Sequence, residues 1–184
     1  VFVAAAAGGA GRYHRTHGHD TAELRMTMPV STRSGRTMAG NAFSPTRVMV
    51  PLDADPTDRF RETHQRLTAT KTEKTLGFMS SLAGLAKVVP RPVLVRLARQ
   101  QVTTVDFTTS NVKAAPFDLY IAGAKMEHNY PIGPIMGTAW NLTTMSYRGR
   151  LDIGLHVDTA AVEHPEELAT AIQESFQELF ALGA

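Results

Sequence analysis

Two places in this chain hold side chains with chemical capacity. Near the amino terminus, His14, His17, His19 and Asp20 lie close together. His14 and His17 stand at i and i+3, so two imidazoles could converge from one helix face on a metal ion. The same residues also suit a helix carboxyl end, where cations meet the negative pole of the dipole. The plainer use is favoured, and no metal is expected. The second place is Thr103 to Asp158, where strand-forming runs carry ordered polar residues. Ser110-Asn111 follows a Thr-rich run and reads as a turn, a common structural use of Asn. Further on, WNLTTMSY and RLDIGLHV flank Arg148-Gly149 as a hairpin with a two-residue turn. That turn pairs Tyr147 with Arg150 and Thr144 with Ile153. One face then holds Trp140, Leu142, Thr144, Ser146, Leu151, Ile153, Leu155 and Val157, the core side. The other holds Asn141, Thr143, Met145 and Tyr147 beside Arg150, Asp152, Gly154 and His156. A polar second face meets solvent or lines a cavity, and periodicity favours solvent.

Several chemistries have no sequence signal. Cysteine is absent from the 184 residues, which removes disulfides, thiolate metal ligands and a cysteine nucleophile. No Gly-rich phosphate loop, catalytic carboxylate pair or nucleophile elbow is visible. The formal net charge is only +2, so the pI near 9.1 carries no expectation of nucleic-acid binding. With 43% hydrophobic residues the chain can bury a core. No apolar run reaches the roughly 18 residues that span a bilayer. The chain starts directly in an apolar helical pattern without a Met, which reads as the interior of a longer gene product.

The positioning elements follow from the patterns around these residues. Residues 1–17 read as an Ala-rich helix stopped by Gly18. Residues 24–33 alternate as a strand that Pro29 confines to an edge or a strand end. Residues 34–41 read as a loop and residues 43–53 as a second strand. Asp55 caps a helix with Pro56 in its first turn, running towards Lys74 with a charged, solvated outer face. From Thr75 to Arg99 an amphipathic helix pair breaks at Pro90 and Pro92. Its Lys87, Arg91, Arg96 and Arg99 form a basic side, read first as solvent-facing and second as a contact for anionic lipid. DLYIAGA (residues 118–124) reads as an apolar strand. The last helix opens at Pro165 and packs through Leu168, Ile172, Phe176 (or Ser175) and Leu179, with no chemistry expected of it.

An ordered set of motifs then carries a family resemblance along nearly the whole chain. It comprises MPVSTR with Gly40-Asn41, PLDADPTDRF, SNV at Ser110–Val112, DLYIAGA, YPIGPIM at residues 130–136, and LTTMSYRGRLDIGLHVD at residues 142–158. The chain resembles the C-terminal half of the bacterial wax ester synthase/acyl-CoA:diacylglycerol acyltransferase family. The resemblance implies an α/β fold, the C-terminal lobe of a chloramphenicol acetyltransferase-like or condensation-domain-like architecture, with a mixed sheet packed against helices. Residues 1–184 would form the second lobe of a two-lobed enzyme.

In such enzymes the second His of HHxxxDG is the general base that activates an alcohol to attack an acyl-CoA thioester. That motif belongs to the N-terminal lobe and is absent here, so no catalytic base is expected in this chain, which alone should be inactive. The implied partners are acyl-CoA, diacylglycerol or a fatty alcohol, and the chain's own N-terminal lobe, either joined to it or supplied as a separate chain. No cofactor and no nucleic acid is implied. The implied place is the cytoplasm, with peripheral contact at the inner membrane or lipid inclusions. Ser110 and Asn111 are the residues expected near the reaction centre, where a hydroxyl or amide could donate to a developing oxyanion. Asn141, Thr143 and Tyr147 are expected on the tunnel side of the hairpin, and Tyr130 more remotely. Two departures stand out: Lys113-Ala114-Ala115-Pro116 follows SNV where the family carries PGP, and Arg148 occupies a turn position that favours Asn or Asp. The alternatives are an inactive lipid-binding or interaction module of the same fold, and a condensation-like acyltransferase that takes its thioester from a carrier protein.

Overall fold

The structure, a computed structural model, describes residues 1–31, 43–73, 104–135 and 137–183. The PRP-broken helix pair, its basic side chains and the loop at 34–41 lie outside the described residues. The first helix, α1 (Phe2–Thr16), is buried continuously from Val3 to Gly11. Alanine favours the helix, whereas each interior glycine costs roughly 0.5–1 kcal/mol of propensity. Close approach explains why a glycine stands here: a Cβ on Gly9 would lie 2.5 Å from the Ile172 Cα. The helix stops as expected, with Gly18 at φ +76° just past its end.

Five strands form one mixed sheet: β1 (Glu23–Ser31), β2 (Phe43–Pro51), β3 (Phe107–Lys113), β6 (Trp140–Tyr147) and β7 (Arg150–Val157). Their order is β2-β1-β3-β6-β7, with β1, β3 and β6 parallel to one another and β2 and β7 antiparallel at the edges. β1 lies inside the sheet, and Pro29 stands near its carboxyl end, one of the two placements that the proline allowed. Pro29 is tolerated because β3 pairs with β1 only at Met26↔Phe107 and Thr27↔Thr108, short of the proline.

One sheet face carries the core. Met26, Val50, Phe107, Trp140 and Leu142 are buried there with the alanines of α1 and with Leu168, Ile172 and Phe176 of α3 (Pro165–Ala181). The rings of Phe107 and Trp140, neighbours across the parallel pair, stack with centroids 4.1 Å apart. The α3 packing stripe falls where the sequence places it.

Among the described residues the remaining helix is α2 (Pro56–Glu73), capped by Asp55, whose Oδ1 accepts the N–H groups of Thr57 and Asp58 at 2.9 Å each. Its charges are not all solvated. Arg59 is 1% exposed. It donates to the carbonyls of Ala4 and Asp53 and to Ser175 Oγ, joining α1, the α2 entry and α3. Burial is possible because fixed acceptors replace water around the guanidinium.

Candidate functional site

β3 and β6 position the polar residues of the site. The ladder pairs Ser110 with Thr143 and Asn111 with Thr144. SNV is thus strand, not turn: its N–H and C=O groups belong to a parallel ladder, a tertiary pairing that overrides Asn's local preference for turns. Because strand side chains alternate, Ser110 and Asn111 project to opposite faces. They do not converge on one point.

Asn111 shares the helix-covered face with Thr144 but lies beyond the core, exposed near the carboxyl end of β3. Thr144 is fully buried, and its single O–H is shared between Asn111 Oδ1 at 3.2 Å and, at the longer 3.4 Å, the Ser110 carbonyl. The amide is thereby held through its oxygen, and among the described residues both Nδ2 hydrogens remain available as donors. Among the described residues, β3 beyond Thr108 has β6 on one side and no paired strand on the other. Asn111 borders that open side. In open α/β sheets, ligands gather outside the carboxyl ends of parallel strands where neighbouring connections run in opposite directions. β1 leads to β2 on one flank, and β3 lies beside β6 on the other.

Ser110, half-buried, faces the opposite side together with Thr108, Asn141 and Thr143. There Asn141 Nδ2 donates to Thr108 Oγ1 at 2.6 Å, and Thr143 Oγ1 donates to Asn141 Oδ1 at 2.7 Å. This is the polar face of the hairpin, and over Asn141, Thr143 and Tyr147 it is shielded from solvent, while Arg150 and His156 on β7 stay exposed. Asn141 is 5% exposed, Thr143 4% and Tyr147 1%.

A strap of the chain itself, residues 117–135, covers this face. Its first part contains the short hairpin β4 (Tyr120–Ile121) and β5 (Ala124–Lys125), turned through Ala122 and Gly123. The single apolar strand expected over 118–124 is therefore a two-residue hairpin, because the AGA sequence supplies a turn at positive φ. Tyr147 Oη donates to the Met126 carbonyl and accepts the Leu119 N–H, both at 3.0 Å. Asp152 accepts the Asn129 N–H at 2.7 Å and faces His128 Nδ1 at 3.3 Å. The Asn129 bond, aided by His128, holds the Asp152 carboxyl below its ordinary range despite desolvation. His156 Nδ1 lies 2.9 Å from the Gly133 carbonyl and donates to it.

Two glycines make the cover fit. A Cβ on Gly154 would stand 1.7 Å from the Pro131 carbonyl oxygen. One on Gly133 would stand 2.3 Å from both Asn141 Oδ1 and Thr143 Oγ1. The sequence places Asp152, Gly154 and His156 on this polar face without giving them a role, and Thr108 and Gly133 go unnoticed in it. The YPIGP spacing was the available signal, since a Gly between two prolines marks a constrained segment in close contact.

Tyr130 sits on the strap, 64% exposed, its ring stacked on His128. The hairpin register is as expected, Tyr147↔Arg150 and Thr144↔Ile153, with Arg148 and Gly149 both at positive φ. On the core side Ile153, Leu155 and Val157 pack against the core, but Leu151 is 41% exposed. Near the amino terminus, His17 does not pair with His14 but turns to His164 and Glu167. None of the described helices is long and apolar enough to cross a membrane.

Comparison with known proteins adds three findings. Residues 39–180 match the family model described as the WS/DGAT C-terminal domain. A protein of Mycobacterium tuberculosis assigned to the diacylglycerol O-acyltransferases is 31% identical over 184 residues. That match covers 99% of this chain and 37% of the relative's length. Among solved structures, the wax ester synthase/diacylglycerol acyltransferase from Marinobacter aquaeolei VT8 superposes with a TM-score of 0.70 at 19% identity, over 97% of this chain and 42% of that one. The starter condensation domain of rhizomide synthetase gives 0.53 at 18% identity, over 98% and 42%. These likenesses establish the fold. Mixed α/β architecture and the relation to condensation domains both agree with the expectation from sequence.

Proposed function

The chain belongs to the wax ester synthase/diacylglycerol acyltransferase family as its C-terminal domain, and from that premise we propose that it is the second lobe of a two-lobed O-acyltransferase. It spans 37% of the M. tuberculosis relative, and an N-terminal lobe, covalently joined or separate, supplies the rest. The reaction is transfer of a long-chain acyl group from acyl-CoA to diacylglycerol or a fatty alcohol. A histidine base on the other lobe takes the hydroxyl proton, the alcohol oxygen bonds to the thioester carbonyl carbon, and the C–S bond then breaks. The proton passes to the departing thiolate.

One observation carries this lobe's part. Asn111 is anchored through Oδ1 by buried Thr144, leaving its Nδ2 donors at the open side of β3. A preoriented amide donor of this kind suits the negative charge that develops on the carbonyl oxygen. Ser110, Asn141, Thr143 and Tyr147 then serve as the wall and as anchors of the strap, and Tyr130 lies on its outer side.

The test is Asn111→Asp in the complete two-lobed protein, which keeps the shape and removes the donors. Loss of one oxyanion donor lowers kcat by about 100- to 1,000-fold with the fold unchanged by circular dichroism. Unchanged turnover in Asn111→Asp and Asn111→Ala would leave SNV a purely structural strand. Turnover by a sample proven to contain residues 1–184 alone would overturn the two-lobe reading. Competition between labelled acyl-CoA and a phosphopantetheinyl carrier protein separates the family reaction from a condensation-like one.

A further inference from the structure

Away from the strap, the carboxyl end of α1 meets the amino end of α3. His17 forms the end of α1, and His164 is the N-cap of α3 with Glu167 three residues on. One ligand atom from each of these three side chains lies within 4.8 Å of the others. The His17 Nε2 to Glu167 Oε2 distance is 3.5 Å. Two donors that share a tetrahedral zinc ion at about 2.0–2.1 Å each stand about 3.3 Å apart. The observed spacing is therefore near that of a ligand pair. The third donor reaches the same geometry by a shift of about 1.5 Å in exposed side chains.

The arrangement of hydrogen bonds also favours a ligand role. His17 Nδ1 lies 2.8 Å from the Tyr13 carbonyl and donates to it. This fixes the tautomer and leaves the Nε2 lone pair directed at Glu167, the usual support of a metal-binding histidine. Glu167 stands where a capping-box carboxylate would fold back on the N-cap N–H, yet the α3 cap has no side-chain hydrogen bond. The His164 N–H instead lies 3.4 Å from the Tyr13 hydroxyl. His164 stacks on His17 with ring centroids 5.2 Å apart.

A cleft of about 300 Å³ between α1 and α3, lined by Tyr13, Thr16, Glu166, Glu167 and Thr170 among others, opens beside the cluster. It leaves room for a water as fourth ligand. Arg12, the cation lining this cleft, is engaged with Glu174 and Glu178.

We propose that His17, His164 and Glu167 form a binding site for a divalent transition-metal ion of the zinc type, which ties the end of α1 to the start of α3. The donor set of two imidazoles and a carboxylate matches borderline-soft divalent ions better than Mg²⁺ or Ca²⁺. The site is independent of the acyl-transfer residues and holds or fails separately from that reading.

Titration of the metal-free 184-residue chain with Co²⁺, followed by visible absorption, tests it. One equivalent of Co²⁺ with tetrahedral d–d bands is expected, displaced by Zn²⁺. His17→Ala, His164→Ala and the isosteric Glu167→Gln each weaken binding about 10-fold or more, whereas His19→Ala binds as the parent does. Zn²⁺ at 100 times its Kd raises the Tm of the parent by about 5–10 °C and leaves Glu167→Gln nearly unchanged. Circular dichroism identifies any His variant that fails to fold, and Glu167→Gln then decides. No stoichiometric uptake would reduce the cluster to a His17–Glu167 ion pair and overturn the proposal. So would uptake abolished by His19→Ala, or indifferent to Glu167→Gln.

Discussion

At the scale of single residues, the polar face of the hairpin shows how few groups hold a buried surface together. Asp152 is 6% exposed and joins two parts of the fold by accepting from Asn129 and His128 of the strap. Its folded pKa is depressed, first by the Asn129 N–H, from an unfolded value of about 3.9. The stabilisation is therefore present above that value and lost as pH falls through the lower folded pKa. Asp152→Asn is expected to cost about 1–2 kcal/mol at neutral pH, read by urea unfolding. The gap between parent and variant should close as pH drops below about 4. A gap that persists unchanged at pH 3 would mean that the carboxylate's charge contributes nothing.

At the scale of elements, the packing of three helices depends on Arg59. Its guanidinium is the shared donor to Ala4 of α1, to the Asp53 carbonyl before α2, and to Ser175 of α3. Glu178 Oε2 stands 3.7 Å away as its nearest carboxylate. Arg59→Ala removes the donors and leaves buried carbonyls unsatisfied beside a cavity, an expected loss of about 3–5 kcal/mol in thermal or chemical unfolding. Arg59→Lys should recover only part of this, since one ammonium cannot span a planar fork's acceptors. Gly8 belongs to the same arrangement. A Cβ there would lie 2.5 Å from the guanidinium carbon and 2.2 Å from Ser175 Oγ.

At the scale of the whole molecule, the strap that closes the polar face has an apolar outer side. Pro131 and Gly133 are buried, whereas Tyr130 is 64% and Ile132 87% exposed, an alternation that turns aromatic and aliphatic groups outward. Upstream, Phe117, Tyr120 and Ile121 are also more than 60% exposed. So many exposed apolar residues on one short segment are unusual for a surface that stays in water. The double variant Tyr130→Ser/Ile132→Ser is expected to lower self-association of the chain in analytical ultracentrifugation while changing stability by less than about 1 kcal/mol. A drop in Tm of many degrees would show instead that these side chains hold the strap.

The sequence by itself determined the elements whose signals are local. The α1 stop at Gly18, the Asp55 cap, the α3 stripe and the hairpin register all follow from short-range geometry, and all are found as read. The ordered motif set also identified the family, because many weak signals in one order are specific together. Tertiary structure decided what depends on distant partners. Asn111 reads as a turn former by itself, but pairing with β6 makes it strand and places it opposite Ser110. Arg59 reads as a surface charge until Ala4, Asp53 and Ser175 surround it. The hairpin's polar face reads as solvent-facing because period-two alternation records polarity and not what lies above it. Only the fold brings Gly133 and Pro131 over that face, and only the meeting of α1 with α3 sets His164 and Glu167 beside His17.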